Sequence, residues 1–201
     1  METNNSRIIV FGAGGRVGRA AVAEARRRGH EVTPAGRADG QVTDAATVAR
    51  LAAGHDAAIV AVYDPGVPAG EFFPSLARAL GVGLPEAGVT RLVSVGLASV
   101  LPTASGALLM DVPGYPQEWR EFYVGHGAGT EALRAAAPEA LDWVVMSPAG
   151  DFDDADEPSG GYALVPAAAD SRITHADFAR ALLDQVEVPT LHRTHVGVSA
   201  I

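Results

Sequence analysis

The stretch Gly12-Ala13-Gly14-Gly15-Arg16-Val17-Gly18 constrains the fold of this 201-residue chain more than any other. It stands between the apolar run Arg7-Ile8-Ile9-Val10-Phe11 and the alanine-rich Arg19-Ala20-Ala21-Val22-Ala23-Glu24-Ala25. A glycine-rich turn leading from a buried strand into a helix leaves backbone N–H groups at the positive end of the helix dipole, where a pyrophosphate is held. Gly12 allows the tight turn, Gly14 and Gly15 let the backbone approach phosphates, and Gly18 lets the helix pack close to the sheet. In this strand–loop–helix setting the motif favours a dinucleotide site over an ordinary tight turn.

Apolar runs and Gly/Pro breaks alternate along the rest of the chain. Residues 7–11 read as a first strand and 16–28 as a first helix, stopped by Gly29 after a basic run suited to a helix C-terminus. A second strand follows at 31–35. Asp44 N-caps a helix over 45–53, and 57–62 read as a buried parallel strand. Only about eight residues separate the second strand from Asp44, too few for another crossover unit, which leaves room for no more than a vestigial strand at 41–43. Residues 63–70 form a Pro/Gly loop, followed by a helix over about 71–80, a strand at 91–95 and a long loop at 97–117. A helix over 117–137 leads to a strand at 142–146 and to the acidic segment 151–161. A short strand at 162–165, a helix at 175–186 and a strand at 195–198 complete the chain. This alternation predicts an α/β fold, a doubly wound parallel Rossmann-like sheet with a small C-terminal substrate-binding portion. One domain over 1–201 is expected, with 97–120 and 147–175 on the substrate side.

Composition narrows the function classes. Residues 1–50 carry eight Arg against five acids, whereas residues 51–201 carry seven Arg against nineteen. A chain of net charge −9 is a poor nucleic-acid binder, and its locally basic glycine loop suits a small phosphorylated ligand. Cysteine is absent, which removes disulfides and thiolate chemistry, and every one of the fifteen basic residues is Arg. No apolar run has membrane-spanning length, and residues 1–6 lack the features of a secretion signal, so a cytoplasmic protein is expected. The chain has no Gly-x-Ser-x-Gly motif, which disfavours a serine hydrolase. His192 and His195 lack metal-site spacing, and the five carboxylates between Asp151 and Glu157 lack calcium-loop spacing, so no metal site is expected.

Several blocks together carry a family resemblance: 8–18, Gly54-His55-Asp56-Ala57-Ala58-Ile59, Leu92-Val93-Ser94-Val95-Gly96, Asp111-Val112-Pro113-Gly114-Tyr115-Pro116, 141–149 and Ser171-Arg172-Ile173-Thr174. On these the chain resembles the atypical short-chain dehydrogenase/reductases, and within them the small bacterial NAD(P)H-binding group described as NADH–flavin reductases, related to the NmrA-like proteins. The resemblance implies an oxidoreductase. Classical members pair a Tyr with a Lys four residues later, whose ammonium lowers the phenol pKa. Here Tyr123 is followed at that distance by Gly127, and no lysine exists anywhere. His126, three residues after Tyr123 and on the same helix face, is the candidate proton donor near neutral pH, with Tyr123 as the second. Ser94 ends what the resemblance makes the active-site strand.

An acidic residue at the end of the second strand would select NAD(H), but that segment runs Ala35-Gly36-Arg37. The resemblance puts Arg37 where NADP-using members carry an Arg. Arg37 with Arg16 is expected to hold a 2′-phosphate, favouring NADP(H) over NAD(H). Asp44 falls near the adenine by the same resemblance, or is only a helix cap. Tyr63 lies at a strand's carboxyl end, where ligands bind in open α/β sheets. Tyr115 and Trp119 either form an aromatic lid or pack their loop. The expectation is an NADPH-dependent reductase acting on a flavin, quinone or conjugated carbonyl, with a homodimer as one open assembly. A non-catalytic NADP(H)-sensing regulator and a biosynthetic reductase or epimerase are the alternatives.

Overall fold

The computed structural model describes residues 5–154 and 160–201, so the expectations for residues 1–6 and for the acidic run to Glu157 fall partly outside the described residues. Its main sheet has seven strands in the order β2 (Glu31–Ala35), β1 (Arg7–Phe11), β3 (Ala57–Val60), β4 (Arg91–Val95), β5 (Asp142–Pro148), β9 (Thr194–Ala200) and β7 (Tyr162–Leu164). Neighbouring strands run parallel except β7, which pairs antiparallel with β9 at the edge. A separate parallel pair joins β6 (Asp151–Asp153) to β8 (Arg172–Thr174). The doubly wound Rossmann-like fold expected from the sequence is therefore correct. The chain leaves β1 toward β2 on one side and returns to β3 on the other, so the strand order reverses at β1. Such a switch point opens a crevice at the carboxyl ends of the strands.

Strand alternation divides the core between two faces. Ile9, Phe11, Ala58, Val60, Leu92, Trp143 and Val145 point to one face, where α2 (Ala45–Ala52), α3 (Ala69–Glu86) and α4 (Arg120–Ala136) pack. Ile8, Val10, Ile59, Val93, Val144 and Met146 point to the other, covered by α1 (Arg16–Arg27) and α5 (His175–Glu187). Each of these strand side chains is almost fully buried, which pins the register, since a one-residue slip would exchange the two faces. No helix among the described residues is long and apolar enough to cross a membrane.

Local signals set most boundaries. Gly29, at φ +90°, ends α1, and the Asp44 carboxylate accepts from the Thr47 N–H at 2.8 Å to cap α2. Residues 41–43 form a turn, in keeping with the shortened crossover, and one expectation fails: α3 runs from Ala69 to Glu86, well beyond 71–80. Pro74 and Pro85 weaken the helical signal, but Phe72, Leu76, Leu80 and Leu84 recur every four residues and are buried, so tertiary packing overrides propensity. Shorter corrections apply to α4, which begins at Arg120, and to β3, which ends at Val60.

The segments 97–120 and 147–175 meet at a small apolar cluster of Ala98, Leu101, Leu109 and Ala167, joined by the Ala167 N–H donating to the Pro102 carbonyl at 3.0 Å.

Candidate functional site

The glycine loop is tied to the end of β2, because the N–H groups of Gly12 and Ala13 both donate to the Ala35 carbonyl, at 2.9 and 3.2 Å. Gly12 has φ +82°, and a Cβ there would collide with the Ala61 carbonyl at the end of β3. A Cβ on Gly18 would collide with the Gly12 carbonyl. Gly14 is different: its missing Cβ faces open space. Gly15 is the N-cap of α1 and offers no side chain to satisfy the first-turn N–H groups of Arg16, Val17 and Gly18. The loop is thus a cradle of donors at a helix N-terminus that no side chain of the described residues caps. That donor set fits the pyrophosphate of a dinucleotide.

A cleft of about 690 Å³ opens beside the loop. Gly12, Gly14, Gly15, Arg37 and Tyr63, all singled out by sequence, line it together with Val62, Asp64, Glu71 and the 40–43 turn. Arg37 is exposed, donates to the Tyr63 carbonyl at 3.2 Å, and lies 3.6 Å from the Asp64 carboxylate. Asp64 was missed by sequence reasoning. The rule that singled out Tyr63, position at a strand's carboxyl end, would have found its neighbour. Asp39, another acid nearby, turns back to accept from the Gly36 N–H at 2.7 Å. Asp44 caps α2, and the Thr47 hydrogen bonds hold its carboxyl below the usual range. The Tyr63 ring stacks on Phe73 and meets Phe122 edge-on, which gives the cleft an aromatic wall.

Arg16 does not join Arg37. Its guanidinium pairs with Asp154, at 2.6 Å, and among the described residues the two arginines share no partner. Arg16 sits on the first turn of α1, and Arg37 stands just past the end of β2, each beside its own acidic partner.

Helix α4 carries the proposed proton donors. Gly129 lies so close to Phe73 that a Cβ would overlap it, and this approach lays His126 against the Phe73 ring at a centroid distance of 3.9 Å. His126 and Ser94 face the same small void, of about 30 Å³, between the sheet and helices α3 and α4. Burial, reinforced by His195, pushes the His126 pKa down to about 3. It is neutral at pH 7, so the imidazolium donor expected from the sequence does not form there. Tyr123 is buried and turns to the Tyr115 ring, 5.6 Å away, while His126 turns to Phe73 and Phe122. Burial, then Tyr115 and Glu118, raise the Tyr123 pKa above that of a free phenol. Tyr115 itself shares a 2.9 Å hydrogen bond with Ser99, and Trp119 stays exposed.

His195, considered from sequence only as a metal ligand, shares a 2.7 Å hydrogen bond with the fully buried Ser147. Both lie under Gly96 at the carboxyl end of β4, where a Cβ would meet them. Burial and then Arg134 push His195 to about 4, so it too is neutral. Nothing in the spacing of Ser147 and His195 announces this pair, because β5 and β9 bring it together.

The chain matches a family model described as NAD(P)H-binding over residues 35–189. It is 32% identical over 200 residues to the uncharacterized protein YwnB of Bacillus subtilis, covering 91% of this chain and 93% of YwnB. Among solved structures, a candidate epimerase from Bacteroides thetaiotaomicron superposes with a TM-score of 0.83 at 26% identity, covering 98% of each chain. A candidate NADH-flavin reductase from Streptococcus pneumoniae gives 0.77 at 25% identity, over 98% of this chain and 100% of that one.

Proposed function

This chain belongs to the NAD(P)H-binding family, and from that premise we propose that it is an NADPH-dependent reductase passing hydride to a flavin, a quinone or a conjugated carbonyl. One observation carries the reading: the open cradle of Gly12, Gly14 and Gly15 continues into a cleft whose far wall presents the exposed guanidinium of Arg37. The first-turn N–H groups of α1 and Arg16 hold the pyrophosphate, and Arg37 binds the 2′-phosphate in a charge-assisted pair. A bound nicotinamide supplies the hydride. Tyr63, with Phe73 and Phe122 behind it, forms an aromatic wall on that side. With His126 neutral, Tyr123 raised in pKa and no lysine in the chain, no side chain on α4 is tuned to deliver a proton at pH 7. Acceptors that need hydride alignment more than a strong acid suit such a site.

The same missing acid favours a second reading, a sensor that binds NADP(H) without turnover. Mixing the protein with NADPH and a panel of flavins, quinones and enones, and following the nicotinamide absorbance, separates the two. Oxidation by at least one acceptor class is the expected result. Tight binding with no oxidation across the panel would leave the sensor. A homodimer and a cytoplasmic location complete the proposal, to be tested by light scattering and by cell fractionation.

A further inference from the structure

The residues that follow β5 bring an acid to the end of the glycine loop. Its short strand β6 pairs with β8, and Phe152 stacks on His175 at 4.3 Å and meets Phe178 edge-on at 5.2 Å. Phe178 is fully buried in α5, so β6 is anchored to the body of the protein. Asp154, the first residue past that strand, therefore reaches Arg16 from a fixed base. Its Oδ1 accepts from Arg16 Nη1 at 2.6 Å, although 138 positions separate the two residues.

Arg16 opens α1, where the uncapped N–H groups and the helix dipole already favour an anion. A carboxylate on its guanidinium stands in for one of the oxygens that a pyrophosphate would present there. We propose that Asp154 is an affinity-setting residue: its carboxylate competes with the cofactor's pyrophosphate for Arg16 and must be displaced when a dinucleotide binds. The pair is exposed, with 68% of the Arg16 side chain and 83% of the Asp154 side chain open to solvent. Exposed pairs are weak and salt-screened, so this one yields to a ligand of higher charge while still lowering its affinity. The proposal rests on the dinucleotide reading of the glycine loop. It also gives the two arginines different roles, Arg16 sensing the pyrophosphate common to NADH and NADPH, and Arg37 sensing only what distinguishes them.

The test is titration calorimetry of inorganic pyrophosphate, NADH and NADPH against wild type, Asp154→Asn, Arg16→Ala and the double variant, at low and high salt. Asp154→Asn should tighten all three ligands by about two- to fivefold at low salt, the size an exposed ion pair supplies. The gain should shrink at high salt. With Arg16→Ala present, Asp154→Asn should change nothing further. Unchanged or weaker binding in Asp154→Asn, or an equal gain with Arg16 removed, would overturn the proposal. Tighter pyrophosphate binding in Asp154→Asn without any dinucleotide binding would uphold the competition and sink the reductase reading instead.

Discussion

The two ends of the central sheet use the same side chain for opposite purposes. At the amino end, Arg28 is nearly buried and donates to Glu24, Asp184 and Glu187 at 2.8, 2.7 and 2.6 Å, tying the end of α1 to α5. Arg91, also buried, reaches Asp142 at 2.6 Å and the carbonyls of Gln185 and Leu191. At the carboxyl end, Arg16 and Arg37 are exposed, and among the described residues each meets one carboxylate. An arginine whose donors are all engaged by its own chain holds elements together, whereas one with donors to spare is open to a ligand. Residue type does not separate these cases; the number of partners does.

The largest effect that could break this contrast is at Arg28. Arg28→Met leaves Asp184 and Glu187 without the cation they share and Glu24 with Arg27 alone; because the first two carboxylates are partly exposed, the lost charge-assisted hydrogen bonds should cost about 2–3 kcal/mol in all. Urea unfolding should show that loss, while the affinity for NADPH stays as in wild type. The acid limb of stability carries a second signature. Arg27, opposed by burial and reinforced by Arg28, lowers the Glu24 pKa from 4.5 to about 2. A carboxyl lowered on folding contributes fully above its unfolded value, so this contribution is complete above pH 4.5 and is lost as the pH falls toward 2. In Arg28→Met that decline should be shallower. A variant that keeps its stability but loses cofactor would erase the distinction between the two ends.

Next in size are two glycines in one loop. Gly18→Ala forces a Cβ onto the Gly12 carbonyl, an overpacking that should cost about 1–3 kcal/mol and weaken dinucleotide binding with it. Gly14→Ala adds its methyl group to open space. It should leave the melting temperature unchanged or slightly higher, since alanine restricts the unfolded chain, while weakening the dinucleotide about tenfold by standing where the phosphates approach. Equal loss of stability in both variants would show that the loop is merely structural.

These glycines also mark how far the sequence could be read. The run from Arg7 to Gly29 was legible because strand, loop, helix and stop are all local, as was the Asp44 cap, which uses one side chain and the N–H of Thr47 three residues on. Helix α3 was not, because Pro74 and Pro85 lower the local signal and its length depends on burying Leu84 against the sheet side. The site shows the same division. Gly12, Gly14, Gly15, Arg37 and Tyr63 line one cleft as their motif and positions suggested. Asp154 on Arg16 and His195 on Ser147 depend on contacts between residues 138 and 48 positions apart, and His126 loses its charge to burial.

A smaller effect concerns cofactor choice. Arg37 stands beside the Asp64 carboxylate, 3.6 Å away, with most of its side chain open to solvent. Arg37→Ala should weaken NADPH by about tenfold and leave NADH nearly unchanged, because a charge-assisted pair to the extra phosphate is lost. Asp64→Asn should act in the opposite direction, tightening NADPH by about two- to threefold as a repulsive charge is removed. Equal shifts for the two dinucleotides would place Arg37 with the structural arginines of the amino end.

The smallest expected effect on turnover extends the contrast to histidines. At the amino end, His30 accepts from the Ser6 N–H at Nδ1 and places Nε2 2.9 Å from Glu187, so both ring nitrogens are engaged. His126, at the site, has the rings of Phe73 and Phe122 as neighbours and a pKa near 3, against 6.5 for a free imidazole. It does not change charge between pH 5 and 8. If a quinone is turned over, kcat/KM should therefore show no break near pH 6.5 that His126→Phe removes. Stability must behave differently. The unfolded chain protonates His126 as the pH falls through 6.5, while the folded protein does not until about 3, so folding loses free energy across that window. His126→Phe, which keeps a ring against Phe73, should flatten this part of the stability profile and leave the rate profile unchanged. A rate break near pH 6.5 that disappears in His126→Phe would show instead that the imidazole titrates at the site and delivers the proton.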